Sequence, residues 1–378
     1  MSIKAQIYIE LLKICLSDNP QVSDRLVQLC KGHIDWIDLL DFAAKQGIIG
    51  VYWHGIEMLF KSPAPINKPN DDEVMEWWGE IQDIRKRNEE LFKKTEFVSR
   101  TFKKEGFDNC ILKGQGNALM YPDPFLRTPG DIDIWLCGDH DKIENYVKKM
   151  FPNTKSGNLH INFPVFKDTL VEVHYTPSHL ANPFANKLLQ EYFIVEQGKQ
   201  ITNIHTLPNG KSIPIPTLEF NIIFQLSHIL RHYIYEGISL KQFVDYFYVL
   251  KEYSCHHGKE NNGSISSFLN QLGIIRFARV IMYIMHVLGL TEEYHFAKMN
   301  EKGGKIILNS IVNEDNVHSP SLHNMNNLSK YNSVKERQKI KVYRAIKLFP
   351  FFPGETIWGL FPRINGALST FQQSIFPE

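Results

Sequence analysis

The feature that most limits how this chain can fold is the run Asp131-Ile132-Asp133-Ile134-Trp135-Leu136. Side chains of a strand alternate between faces, and residues two apart stand about 6–7 Å from each other. Asp131 and Asp133 therefore share one face, while Ile132 and Ile134 point to the other. Carboxylates that close repel unless positive charge lies between them. Such a strand packs its isoleucines into a core and turns its acids toward something cationic. A divalent ion meets that need, and Mg²⁺ takes oxygen ligands while keeping waters or phosphates in its shell. A solvated strand end is the plain alternative for an isolated D-x-D pair.

The surroundings argue for more than a strand end. From Gly106 onward, short β-rich runs alternate with Gly, Pro and Asn punctuation. The pattern predicts strands over 109–113 and 131–136, the start of a helix over 116–120 and a helix over 141–150. It predicts a hairpin of 159–166 and 170–175 turning at Lys167-Asp168-Thr169. A helix around 185–192 and a β-rich piece over 201–215, turning at Pro208-Asn209-Gly210, complete this region. In Val171-Glu172-Val173-His174-Tyr175, Glu172 and His174 share a face. If that strand lies beside the first, Glu172 reaches the site of Asp131 and Asp133. Three such carboxylates would hold the ions that orient a triphosphate. Lys113-Gly114-Gln115-Gly116-Asn117 falls between a strand and a helix, where small residues and a helix N-terminus favour phosphate oxygens. The G-x-x-x-x-G-K-[ST] spacing of a P-loop is absent.

Helical patterns occupy both flanks. Ile7, Leu11, Leu12 and Cys15 recur at helical spacing before Asp18-Asn19-Pro20, and Trp36, Leu39, Leu40, Phe42 and Ala43 mark a second helix. A long charged helix is expected over 73–104, capped by Asp71 or Asp72, with Trp78, Ile81, Ile84, Leu91 and Phe97 on its apolar face. Thr217 can cap a helix through Ser227, and further helices are expected over 240–251, 265–272, 274–288 and 334–348. Residues 256–264 read as an exposed loop. The expected order is a helical region over 1–105, an α/β core over 106–215 and a helical region over 216–378.

Composition excludes several classes. Lys+Arg is 42 against 41 Asp+Glu, so net charge gives no general attraction to long nucleic acid or acidic membranes, though it leaves room for a local basic patch. The 5 cysteines are scattered and never in a C-x-x-C pair, which argues against a zinc framework or disulfide scaffold and suits a reducing cytoplasm. The most apolar stretch, 274–290, carries Arg276 and Arg279 and is too short to span a bilayer.

Leu112-Lys113-Gly114, the Tyr121-Pro122-Asp123-Pro124-Phe125-Leu126-Arg127 run, the D-x-D strand and Val171-Glu172-Val173-His174-Tyr175 together resemble the uncharacterised nucleotidyltransferases of the DNA polymerase beta-like superfamily. There a glycine-containing turn precedes a D-x-D strand, and a later strand supplies a third carboxylate. Those places fall on Gly114, on Asp131 and Asp133, and on Glu172; the family's arginine and strand histidine fall on Arg127 and His160. The resemblance is clearest over 110–175 and extends loosely to His228, His232 and Asp245. It implies an α+β fold, a small nucleotidyltransferase-type mixed β-sheet core flanked by N-terminal and C-terminal helical regions. It further implies transfer of an NMP group from an NTP to an acceptor hydroxyl, with release of pyrophosphate and with Mg²⁺, or Mn²⁺ in its place. Asp131, Asp133 and Glu172 would be catalytic and metal-holding; Lys113, Gly114, Gln115, Gly116, Asn117 and Arg127 would contact the nucleotide. The acceptor (a small molecule, a protein or an RNA end) is left open. Gln115 stands where the superfamily has Ser or Gly, the spacing to Asp131 is long, and the third carboxylate is Glu rather than Asp. A catalytically silent nucleotide-binding or partner-binding module on this scaffold is the alternative.

Single residues keep two readings at this level. Lys113 pairs with a carboxylate or contacts phosphate. Arg127 braces the loop through Asp131 or Asp123, or binds the triphosphate. His160 and His174 fill the sheet or serve the site. His228 and His232, four apart on a helix without the Glu of H-E-x-x-H, read as a structural pair rather than a zinc site. Asp245 faces the cleft or caps a neighbour.

Overall fold

The computed structural model describes residues 1–61, 63–257, 262–312 and 349–360. Four helices open the chain: α1 (Ile3–Cys15), α2 (Asp24–Cys30), α3 (Trp36–Gln46) and α4 (Ile49–Leu59). The long α5 (Asp71–Lys104) follows. A mixed region comes next: β1 (Asp108–Ile111), α6 (Gln115–Ala118), β2 (Ile132–Cys137), α7 (His140–Met150), β3 (His160–Asn162), β4 (Val171–His174), α8 (Pro183–Thr202), β5 (Ile204–Thr206) and β6 (Ser212–Pro214). Helices then resume as α9 (Leu218–Tyr235), α10 (Leu240–His257), α11 (Asn262–Gln271), α12 (Ile275–Val287), α13 (Glu301–Val312) and α14 (Pro353–Leu360). The class is α+β, as expected. The helix expected over 334–348 lies outside the described residues. Of the loop expected over 256–264, residues 256–257 belong to α10 and 262–264 to α11, and 258–261 lie outside the described residues.

The main sheet has the order β1-β2-β4-β3. β2 pairs antiparallel with β1 and parallel with β4, and β3 pairs antiparallel with β4. The alternation of β2 and β4 decides what each face does. Ile132, Ile134, Leu136, Val171 and Val173 turn into a core shared with Leu91, Phe92, Val98 and Phe102 of α5 and with Ile143 and Val147 of α7. Trp135 leaves by the other face and stacks on Phe220 of α9, ring centroids 5.9 Å apart. The helices α8 and α9 therefore cover one end of that second face, and the acidic end of β2 remains in front of them.

α5 starts two residues earlier than expected, at Asp71, and its cap one residue before the acidic pair. Asn70 is the cap: its side chain accepts from the Glu73 N–H at 3.0 Å, and Glu73 reaches back to the Asn70 N–H at 2.7 Å, a capping box. Asp71 and Asp72 lie in the first turn, where their charge favours the helix dipole. The buried stripe runs through Trp77, Ile81, Ile84, Asn88, Leu91, Phe92, Thr95 and Val98. Trp78 and Phe97, expected on it, stand 45% and 40% exposed. Trp77 wins the interior place because its indole N–H donates to the Trp36 carbonyl at 3.1 Å.

Helices from the two ends of the chain share one core. Leu11 and Leu12 of α1, Tyr52 of α4, Phe224 and Leu230 of α9, Phe243 of α10 and Met282 of α12 belong to the same cluster. The Gln46 amide donates to the Ile311 carbonyl at 3.1 Å and accepts from the Leu240 N–H at 2.9 Å. α1 and α4 cross where a Cβ on Gly55 would meet Cys15 Cα at 2.4 Å. Gly55→Ala should cost about 1–3 kcal/mol, the usual range for overpacking, seen as a lower urea midpoint with an unchanged slope; an unchanged midpoint would show that the crossing has slack.

Candidate active site

In the parallel β2–β4 pair, Asp133 stands directly opposite Glu172, and Trp135 opposite His174. Asp131 precedes β2 by one residue and lies on the same face. Ligand-capable atoms of Asp131, Asp133 and Glu172 lie within 4.8 Å of one another. Asp133 is buried, at 1% exposure, and one of its oxygens, Oδ2, has no hydrogen-bond partner. Its Oδ1 is held by Lys113 Nζ at 3.1 Å and by His174 Nε2 at 2.9 Å. A buried carboxylate oxygen without a donor is costly, and its position among three acids fits an oxygen-seeking cation.

The charges respond to one another. Burial favours a neutral Asp133, but Lys113 and His174 prevail and hold its carboxyl below the usual range. Asp131 is raised, first by the charge of Asp133 and then by burial. Burial opposes the charge on Lys113, yet the combined pull of Asp133, Asp131 and Glu172 raises its pKa. His160 Nε2 and His174 Nε2 each stand 3.6 Å from a Glu172 oxygen.

The turn before β2 is built by backbone need. Gly114 has φ +62° and ψ −115°, a conformation side chains disfavour. The expected helix after it is a single turn, α6, so it brings little of the dipole a longer helix would aim at phosphate. Gln115 and Asn117 turn their side chains into the protein. Gln115 donates to Asn88 Oδ1 at 3.0 Å, and Asn117 Oδ1 accepts from Asn221 at 3.1 Å and Gln225 at 3.2 Å. A Cβ on Gly116 would meet Ile215 Cγ2 at 3.1 Å, so this glycine admits close packing of β6's end. Asn88 also donates to the carbonyls of Phe125 and Arg127 at 2.7 and 2.8 Å. One asparagine of α5 thus ties the glycine turn to the arginine loop.

Arg127 pairs with neither Asp131 nor Asp123. Its guanidinium makes two 2.8 Å hydrogen bonds to the two oxygens of Asp245 on α10, and Tyr121 donates to Asp245 Oδ1 at 2.6 Å. Asp123 belongs to Arg85, at 2.6 Å. With 5% exposure, Arg127 holds the helical half onto the core.

Of the other residues near the site, Lys241 and His179 carried no sequence signal, whereas the spacing of His228 and His232 reads as a structural pair. Lys241, at the start of α10, brings Nζ to 3.2 Å from where a Gly130 Cβ would stand. Burial and the nearby Arg127 charge push it down to about 7. On α9, His228 and His232 have ring centroids 4.1 Å apart and are pushed well below their ordinary value by burial. His232 Nδ1 lies 3.0 Å from Glu236. Among the described residues no metal-ligating trio forms around this pair. His179, half-buried, is pushed down to about 4, first by burial and then by the nearby Arg231 charge.

Two stability outcomes follow. Asp245→Ala leaves Arg127 charged and buried, and should cost about 3–5 kcal/mol in urea unfolding, with Arg127→Met and Asp245→Leu together recovering much of it. Folded Lys241 gives up its proton near pH 7, whereas the unfolded chain keeps it to the ordinary lysine range. The folded-state penalty is therefore full below about 7 and fades as pH rises. Lys241→Met should raise the melting temperature most at pH 6, with the gain shrinking by pH 9; a gain independent of pH would contradict this.

No curated protein matches the chain. Among solved structures, it is similar to an antigenic nucleotidyltransferase-like protein from Paracoccidioides brasiliensis, at 17% identity over 56% of this chain and 94% of that one, with a TM-score of 0.30. The sequence model of the uncharacterised nucleotidyltransferases matches residues 32–289, from α3's approach to the end of α12, and encloses the whole acidic sheet face. On that match the chain belongs to the uncharacterised nucleotidyltransferase family.

Proposed function

We propose that this chain is a divalent-metal-dependent enzyme that moves an NMP group from an NTP to an acceptor hydroxyl and releases pyrophosphate. The observation that carries this reading is the convergence of Asp131, Asp133 and Glu172, with Asp133 Oδ2 buried and unpartnered among them. The donor set is all oxygen, which suits Mg²⁺ or Mn²⁺. Asp131, Asp133 and Glu172 would hold the ion, which when bound supplies charge neutralisation for a polyphosphate and a template for in-line displacement.

The chain's own groups have separable tasks. His174 and Lys113 fix the orientation of Asp133 from two directions. Lys113 is the cation placed to turn from Asp133 toward phosphate oxygens once the carboxylates are engaged. Glu172, whose side chain is 20% exposed, meets the open side of the sheet and would accept the proton of the attacking hydroxyl. Gly114 lets the main chain of the turn approach the phosphates without a side chain intervening. Gln115, Asn117 and Arg127 support the turn and the loop behind it. Rate would come chiefly from positioning and charge stabilisation.

Asp131→Asn tests the reading with little risk to the fold, since it removes a carboxylate already raised by its neighbour Asp133. Mg²⁺-dependent release of pyrophosphate from an NTP should fall by more than roughly 10²-fold, with the melting temperature unchanged or higher. Wild-type turnover in this variant would reject the assignment. NTP binding by the native chain without pyrophosphate release, across small-molecule, protein and RNA-end acceptors, would instead favour the silent module.

A further inference from the structure

A second group of ligating atoms lies on the same sheet face, one strand further out. His160 of β3 and His174 of β4 are register partners, and Glu172 follows two residues before His174 on the same face. Atoms of His160, Glu172 and His174 lie within 4.8 Å of one another. His160 Nε2 stands 3.6 Å from Glu172 Oε1, and His174 Nε2 stands 3.6 Å from Glu172 Oε2. Each imidazole addresses its own oxygen of one carboxylate, beyond the range of an N–H···O hydrogen bond. Ligands about 2.0–2.2 Å from a zinc ion stand roughly 3.0–3.6 Å from each other, so small side-chain shifts bring these three onto a common ion.

We infer that His160, Glu172 and His174 form a second metal position, one for a divalent transition-metal ion such as Zn²⁺. Two imidazoles and a carboxylate favour such an ion over Mg²⁺, and leave coordination positions open. His160, with a third of its side chain exposed, stands at the entry. His174, 3% exposed, forms the floor. Both rings bury an Nδ1 that has no partner, so no hydrogen bond there holds the Nδ1–H or Nε2–H form of either ring. A metal-bound Nε2 carries no proton, so ion binding replaces the His174–Asp133 hydrogen bond. The position shares Glu172 with the acidic trio, yet it stands whether or not nucleotide transfer does.

The test is Zn²⁺ titration of the full chain by calorimetry in excess Mg²⁺, with His160→Ala and Asp131→Asn beside the native protein and thermal melts to confirm folding. The native chain should bind Zn²⁺ with a component that Mg²⁺ does not displace. His160→Ala should weaken that component by more than about tenfold, the least that loss of even an outer-shell partner usually causes. Asp131→Asn should retain it while losing NTP turnover, which separates this inference from the proposed reaction. Native-like Zn²⁺ binding by folded His160→Ala overturns the proposal, as does equal loss in both variants, which would place Zn²⁺ on the acidic trio. Absence of any such component in the native chain overturns it as well.

Discussion

The parallel pairing of β2 with β4 sets Asp133 against Glu172 in one register step. Like charges directly opposite each other on a sheet destabilise it, and here one of the two is almost wholly removed from water. Much of the surrounding structure answers that repulsion. Lys113 arrives from the end of β1, and His174 comes from two residues further along β4. The apolar residues between the acids anchor the strands to α5 and α7 from behind, so the strands cannot part to relieve the charge. The face is held in a state that a cation would relax, and this links stability to chemistry.

The helical half is joined to this face by polar contacts as well as by apolar packing. Tyr121, Arg127 and Asp245 make a buried network across 124 residues of sequence. Such networks fix one arrangement strongly when every member is satisfied. Asn117 reaches α9, and Asn88 binds both the glycine turn and the arginine loop. The turn is thus supported from α5, α9 and α10 together. A shift of any of these helices would move the main chain nearest the acids.

Local alternation made much of this readable in advance. Period-two spacing in β2 and β4 separated acids from isoleucines and valines, and the Pro208-Asn209-Gly210 turn marked the β5–β6 pair. Capping chemistry and helical period located α5, though Asn70 and Trp77 took the places read for Asp71 and Trp78. Those errors are of one residue, where neighbours of like chemistry compete and a distant partner decides. What spacing did not reveal depends on tertiary contacts. Nothing local joins Arg127 to Asp245, and nothing local aims Lys241 at Gly130. The inward turn of Gln115 and Asn117 also follows from partners on other helices rather than from their own neighbours.

The shared core of the terminal helices bears on how the chain is made. Gln46 completes its hydrogen bonds with Leu240 and with Ile311, the latter 265 residues downstream. At about 5–20 residues per second, a ribosome needs tens of seconds to supply that second partner. For much of that interval α1 to α4 carry apolar surface that only later helices cover. Apolar surface left open for that long favours association with other chains, and a truncated product ending before α9 would keep the same surface exposed.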